Sequence, residues 1–299
     1  MTAAHLSNVT IEYETFGDGP ALLLVMGLGA QLIDWPDEFV DLFVQRGFQV
    51  IRFDNRDAGL SSKMTGGAAT PASVRRALAA QMSRRFAHAD YLLADMARDA
   101  VGLLDHLGIE KAHVVGASMG GMIAQTIAID HPRRVSSLVS IMSNTGDRRH
   151  GRASVHLLRK ARKLIGDHPE RRMENAVALG RLIAGPHFDE QAARELLQRE
   201  FDRNDDIAGT GRQMMAIAAS PDRTPLLRRL NVPTLVIHGL ADPLVMPSGG
   251  VATCNAVHGS RLLMFPDMGH DLPKVRWPEV VDAIVANAQR SAPISSARG

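Results

Sequence analysis

Only one cysteine, Cys254, occurs in 299 residues. No intramolecular disulfide can form, so packing alone must hold the fold, and a reducing, cytoplasmic setting is the expectation. Aromatic residues are scarce as well, at two Trp, two Tyr and nine Phe. The core must therefore rest on Leu, Val, Ile, Met and Ala. Neither sign of charge is in excess, with 34 Lys and Arg against 32 Asp and Glu. That balance speaks against nucleic acid as a partner, because no surplus of positive charge exists to neutralise phosphates. The longest apolar run, Ala21–Ala30, contains two glycines and is too short to span a bilayer. The opening MTAAHLSNVT has no basic stretch followed by an apolar one, so no signal peptide is expected. What is plentiful is ordinary globular material, 45% hydrophobic and 22% charged. That is enough for a sizeable core and excludes a disordered chain.

The first half alternates strand and helix signals. Val9–Thr15 alternates polar and apolar residues and predicts a half-buried edge strand. Ala21–Met26 and Phe48–Phe53 are short apolar runs, as in strands buried on both faces. Between them, Asp34-Trp35-Pro36-Asp37-Glu38 reads as a helix start with a capping Asp, an early Pro and acids in the first turn. Leu92–Leu107 has helical spacing and stops at Gly108. Ala112–Gly116 predicts a strand, Met119–Asp130 a helix and Val135–Met142 a further strand. Such alternation implies a mostly parallel sheet with helices on both faces.

From Asp147 to Pro225 the strand signal stops. The chain there reads as helical, and Asp147–Arg172 carries nine Lys or Arg against three Asp or Glu. The rhythm resumes with Val232–His238, Arg261–Phe265 and a helix over Pro278–Arg290, before a small polar tail expected to fray. The expected organisation is an α/β core over 1–146 and 226–299, interrupted by a helical cap or lid over 147–225. The basic face of that cap is read as solvated.

Gly116-Ala117-Ser118-Met119-Gly120 matches G-x-S-x-G. The match gains weight from its place, between a buried strand and a helix, where a tight turn thrusts the serine hydroxyl out above the sheet. The glycines leave room for the neighbouring strand and helix, and the helix start offers N–H groups to an anion. A serine nucleophile needs a base, and the base an orienting acid. His270 follows the last predicted strand and is the expected base; His238 is the rival, while His113 and His131 read as structural. Asp242, four residues after His238, is the expected acid, with Asp147 as the alternative. Ser118, Asp242 and His270 then follow the chain order of a Ser…Asp…His triad. Asp267 reads as a turn former, and Asp271 is too close to His270 to fold back onto its ring. Cys254 falls in an ordinary helical stretch, Gly250–His258, and is expected to be buried and inert.

With these residues in place, the chain resembles the serine hydrolases of the α/β-hydrolase superfamily. Leu22–Gly27, Trp35–Phe39, His113–Gly120, Val232–Ile237 and Met268–His270 are similar to the aclacinomycin methylesterases, which cleave a methyl ester on a polyketide antibiotic. The resemblance covers about Val9–Met142 and Val232–Ala288. It implies an α/β-hydrolase fold, a carboxylic ester hydrolase, a small-molecule ester as substrate and no metal or organic cofactor. It also implies an oxyanion hole formed by the backbone N–H groups of Leu28 and Met119, although Met26 stands where many relatives carry His. Asp54–Ser61 resembles a family segment that braces loops near the site. Trp35, Leu179, Leu182, Ile183, Met214 and Met215 are the expected pocket residues. A lactonase, thioesterase, amidase or carbon–carbon bond hydrolase on the same triad stays open, as does a non-catalytic ligand-sensing scaffold. A homodimer is compatible with the sequence.

Overall fold

The computed structural model describes residues 2–65, 89–164, 171–204 and 206–291. The expected frayed tail falls on 292–299, and part of the basic stretch on 165–170, both outside the described residues. Eight strands among the described residues form one sheet in the order β1-β2-β4-β3-β5-β6-β7-β8. They are β1 (Thr2–His5), β2 (Thr10–Phe16), β3 (Ala21–Val25), β4 (Gln49–Phe53), β5 (Ala112–Ala117), β6 (Val135–Ile141), β7 (Thr234–Gly239) and β8 (Arg261–Phe265). β1, β2 and β4 pair antiparallel, and every pairing from β4 through β8 is parallel.

Buried strands explain the apolar runs. Along β3, Leu23 and Val25 face one core cluster while Leu22 and Leu24 face the other, and all four are fully buried. The strand's two-residue period thus feeds two cores at once. Each such side chain contributes about 1.5–3 kcal/mol by leaving water. One cluster is closed by α2 (Leu93–His106) and α3 (Met119–Asp130), the other by α1 (Asp37–Val44) and α10 (Trp277–Gln289).

Two local expectations need correcting. Val9–Thr15 is no edge strand: β2 lies inside the sheet because β1, unforeseen, pairs outside it from Thr2↔Tyr13 to His5↔Thr10. Asp34 does not cap α1. It sits in a 3-10 turn, Leu32–Asp34, and accepts a hydrogen bond from Gln31 N–H at 2.8 Å, while Pro36 takes the capping position.

The stretch after β6 is helical: α4 (Val155–Leu164), α5 (Arg172–Ile183), α6 (Glu190–Arg203) and α7 (Ile207–Ala219). The expected boundary at 225 falls inside α8 (Thr224–Leu227), whose Leu227 is buried with Ala256 and Val257 against the core. The last of these belongs to the loop after α9 (Ser248–Ala256). Among the described residues no helix is long and apolar enough to cross a membrane.

Candidate active site

The carboxyl ends of β3, β4, β5, β6, β7 and β8 lie along one edge of the sheet, the edge where open α/β sheets carry their sites. Ser118 follows β5 directly with φ +54°, ψ −117°, a conformation costing of order 1–3 kcal/mol for a non-glycine residue. The turn is held by close packing. A Cβ at Gly116 would lie 2.1 Å from Gly120 O, and one at Gly120 would lie 2.0 Å from Val25 O. Neither position tolerates a side chain. Ser143, after β6, donates its hydroxyl to Ser118 C=O at 2.8 Å and packs against Gly121.

His270 and Asp242 arrive from the next two strand ends. Ser118 Oγ lies 2.9 Å from His270 Nε2, and His270 Nδ1 lies 2.7 Å from Asp242 Oδ2. A carboxylate only accepts, so Nδ1 carries the proton and Nε2 is left to accept from the serine hydroxyl. The Asp242 side chain is fully buried and the His270 side chain 8% exposed. Burial alone would raise the Asp242 pKa. Hydrogen bonds from His238 and His270 and from Val245 N–H overcome it and hold the carboxyl below its ordinary value. His238 lies beneath, buried, with Nε2 donating to Val245 O at 2.7 Å and 3.5 Å from Asp242 Oδ2. Its Nδ1 has no hydrogen-bond partner, and the ring is far from open space.

The loop after β3 runs beside the serine. A Cβ on Gly27 would sit 3.3 Å from Ser118 Cβ, so Leu28 begins next to the hydroxyl. Met119 is the first residue of α3, where N–H groups have no partner within the helix. Asn55 Nδ2 donates to Met26 O at 3.0 Å, and Asp54 Oδ1 accepts from Leu32 N–H at 2.6 Å. The Asp54–Ser61 segment therefore braces this loop from below. It also reaches the helical stretch: Asp57 pairs with Arg212 at 2.7 Å, and Asp54 pairs with Arg203 at 3.0 Å.

The other expected residues divide. Ile183 O accepts from His270 N–H at 2.7 Å, so the end of α5 sits against the histidine loop. Asp271 accepts from Gly269 N–H at 2.8 Å and Gly185 N–H at 3.1 Å, tying the same two segments together. Asp267 is more than a turn former: Arg276 and His187 hold its carboxyl at about 2. Asp147 is taken up by Arg149 N–H, His150 N–H and the His150 ring, so nothing joins it to His270. Trp35 belongs to the core rather than a pocket, because its ring is 2% exposed and stacks on Phe39 at 5.7 Å. Leu182 lines a hollow between α4, α5 and α6 with Lys160, Val177 and Arg194, and that hollow contains none of Ser118, Asp242 and His270. Leu179 and Met214 are exposed, and Met215 is buried. Cys254 is half-buried, not buried, 3.3 Å from Ser260 Oγ. Among the described residues no three His, Cys, Asp or Glu are grouped to hold a metal ion.

A residue missed by sequence reasoning lies in α7. Gln213 is fully buried, with Oε1 accepting from Gly29 N–H at 2.8 Å and Nε2 donating to Arg56 O at 2.8 Å. Its only sequence signal is indirect: Gly209 in the same helix marks a close approach to neighbouring backbone, where a Cβ would lie 2.1 Å from Asp57 O.

Comparison with known proteins agrees with this frame. The family described as alpha/beta hydrolase fold matches residues 20–275. A rhodomycin D methylesterase of Streptomyces peucetius is 29% identical, over 94% of this chain and 95% of its own. A 3-oxoadipate enol-lactonase of Acinetobacter baylyi is 27% identical, over 85% of this chain and 84% of its own. In structure, a thermophilic esterase from Thermogutta terrifontis superposes with a TM-score of 0.71 at 22% identity, covering 98% of this chain and all of that one (100%), which establishes a shared fold.

Proposed function

The chain belongs to the α/β-hydrolase family, and on that footing we propose that it is a serine hydrolase cleaving a carboxylic ester through an acyl-enzyme. The observation that carries the reading is the unbroken chain Ser118 Oγ, His270 Nε2, His270 Nδ1, Asp242 Oδ2, with links of 2.9 and 2.7 Å. His270 takes the Ser118 proton as the serine oxygen attacks the ester carbonyl. The carbonyl oxygen becomes an oxyanion that accepts from Leu28 and Met119 N–H. Collapse breaks the bond to the alkoxy group, which leaves as alcohol with the proton held by His270. Water, deprotonated by the same imidazole, then attacks the acyl-enzyme and frees the acid and Ser118. Asp242 keeps the proton on Nδ1 throughout and stabilises the imidazolium.

Esters suit the site because an alkoxy group leaves readily as its oxygen takes the His270 proton, and because the Streptomyces relative is a methylesterase. Lactones, which are cyclic esters, open by the same steps. The test is a panel of alkyl esters and lactones with Ser118→Ala as control, together with labelling by a fluorophosphonate probe. Wild type is expected to label at Ser118, and Ser118→Ala to lose several orders of magnitude in kcat. A variant keeping more than about a tenth of wild-type turnover sinks the reading, since removing a triad nucleophile costs far more.

A further inference from the structure

We propose that Gln213 of α7 is a positioning residue for the oxyanion hole, pinning the Leu28–Gly29 peptide so that Leu28 N–H stays aimed at the reacting carbonyl. The inference rests on the role given to Leu28 above and adds the group that fixes it.

The Leu28 N–H belongs to the Gly27–Leu28 peptide. The peptide before it is held from the core, where Asn55 Nδ2 donates to Met26 O at 3.0 Å. The peptide after it is held from α7, where Gln213 Oε1 accepts from Gly29 N–H at 2.8 Å. The donor thus lies between two tethered peptides. Without the Gln213 tether, Gly29 has little to stop it turning, since it carries no side chain and sits at φ +72°.

Gln213 is built to hold still. It is fully buried, and its Nε2 donates to Arg56 O at 2.8 Å, in the same segment that supplies Asn55. Gly29 N–H only donates and Arg56 O only accepts, so the amide has one satisfied orientation. The helix is seated closely around it. A Cβ at Gly209 would lie 2.1 Å from Asp57 O, and one at Gly29 would lie 2.8 Å from Thr210 Oγ1. Arg212 joins α7 to Asp57 at 2.7 Å, in the same segment that supplies Asn55 and Arg56. Removing the Gln213 side chain would leave two backbone groups short of a partner beside the site.

The experiment compares Gln213→Leu, Gln213→Glu and, as a destabilising control away from the site, Leu227→Ala in α8 with wild type. It measures kcat and KM on an ester, inhibition by a trifluoromethyl ketone, and thermal stability. The ketone adds Ser118 oxygen to its carbonyl, and the resulting oxyanion occupies the hole. Fluorophosphonate labelling of wild-type Ser118 is checked first and decides the reading of the nucleophile separately. For Gln213→Leu, kcat should fall about 10–100-fold, somewhat less than loss of a whole donor, with KM within about twofold. Ketone affinity should fall in parallel with kcat. Gln213→Glu keeps an acceptor for Gly29 N–H and, protonated in its buried place, a donor to Arg56 O, and should recover most of the loss. Leu227→Ala should lower stability without that parallel loss. Should Gln213→Leu fail to fold, Gln213→Asn, too short to span both partners, takes its place with the same expectation. The proposal is overturned if the Gln213 variant retains wild-type kcat and ketone affinity. It is equally overturned if Gln213→Glu falls as far as Gln213→Leu, or if Leu227→Ala reproduces the joint loss.

Discussion

Two ends of the helical stretch behave differently although they read alike in the sequence. The helices α4 to α6 lie on the surface. α6 has no fully buried residue, α5 buries only Val177, and the two are joined by exposed ion pairs such as Arg194 with Glu174 and Glu190; their C-terminal ends reach the core, through Ile183 O to His270 N–H and Arg203 to Asp54. α7 buries Arg212, Gln213, Met215 and Ala216 and locks onto the loops that flank Ser118. Exposed ion pairs contribute about 0–1 kcal/mol each, whereas buried and hydrogen-bonded groups resist opening. Local opening draws on elements with few buried contacts. Local opening is therefore expected in α4 and in the parts of α5 and α6 away from those ends, with α7 staying clamped.

The hardest blow to this division would be a catalytic group on the helical side. Asp242→Asn should cut turnover on the order of 10⁴-fold by admitting the wrong histidine tautomer, and the protein should remain folded. Asp147→Asn, at the entrance to the helical stretch, should leave kcat near wild type, because its carboxylate serves Arg149, His150 and nothing in the triad. A large loss at Asp147 with a small one at Asp242 would move the acid across the boundary.

A pair of glycine replacements probes the packing directly. Gly209→Ala in α7 drives a methyl to within 2.1 Å of Asp57 O and should destabilise by about 1–3 kcal/mol, with activity lost alongside. Gly180→Ala in α5 meets only the Phe188 ring, at 3.4 Å. It should be neutral or stabilise by about 0.5–1 kcal/mol, the helix-propensity gain over glycine. Thermal unfolding of the two variants measures the difference between the clamped helix and the loose ones. Equal effects would erase it.

The joint between the two regions has its own titration. Glu200 in α6 lies against Asp34 in the loop beside Leu32, near Arg203 and Asp54. Burial, the Asp34 charge and a hydrogen bond shared with Asp34 raise the Glu200 pKa far above 4.5. Burial raises Asp34 as well. Above 4.5 the unfolded chain has released a proton that the folded pair still holds, so stability falls as pH rises. The contribution is fully present below 4.5 and is lost as pH climbs through the raised value. Asp267, held at about 2 by Arg276 and His187, acts at the opposite end and loses its contribution only in acid. Glu200→Gln should flatten the decline of Tm between neutral and alkaline pH. An unchanged slope would mean that the pair carries no shared proton.

Much of this was legible in the sequence where a pattern has one physical cause. The run Leu22–Val25 fits only a strand buried on both faces, and it is one. G-x-S-x-G between a strand and a helix placed Ser118, and the order of strand ends placed Asp242 and His270 beside it. Other features had no local signature. β1 carries a single buried apolar residue, Ala4, and becomes a strand because β2 offers a free edge. Trp35 lies close to Leu28 in sequence but is large enough that the core beside Phe39 claims it. Gln213 is a polar residue in a helix, and only three-dimensional packing makes it a tether for Gly29.

The smallest expected effects concern selection among esters, and they divide the expected pocket residues along the same line. On α7, Thr210 and Gln213 both face Gly29, so Met214, four residues after Thr210, shares their side of the helix. Met214 is 41% exposed and packs into no core, which leaves its flexible thioether free to meet a ligand on that side of the helix. Leu179 is exposed on α5, and Leu182 faces the hollow lined by Val177 and Arg194. Met214→Ala should therefore change the ratio of kcat/KM between a bulky and a small ester by roughly 10-fold or more, the scale of a few methylene contacts. Leu179→Ala and Leu182→Ala should change it by less than about twofold, because Leu179 is exposed and Leu182 faces a different hollow. The ratio cancels differences in active enzyme and in the common chemical step, so it reads pocket contact alone. A shift at Leu182 as large as that at Met214 would make α5, whose end already holds His270 N–H through Ile183 O, the selector in place of the clamped helix.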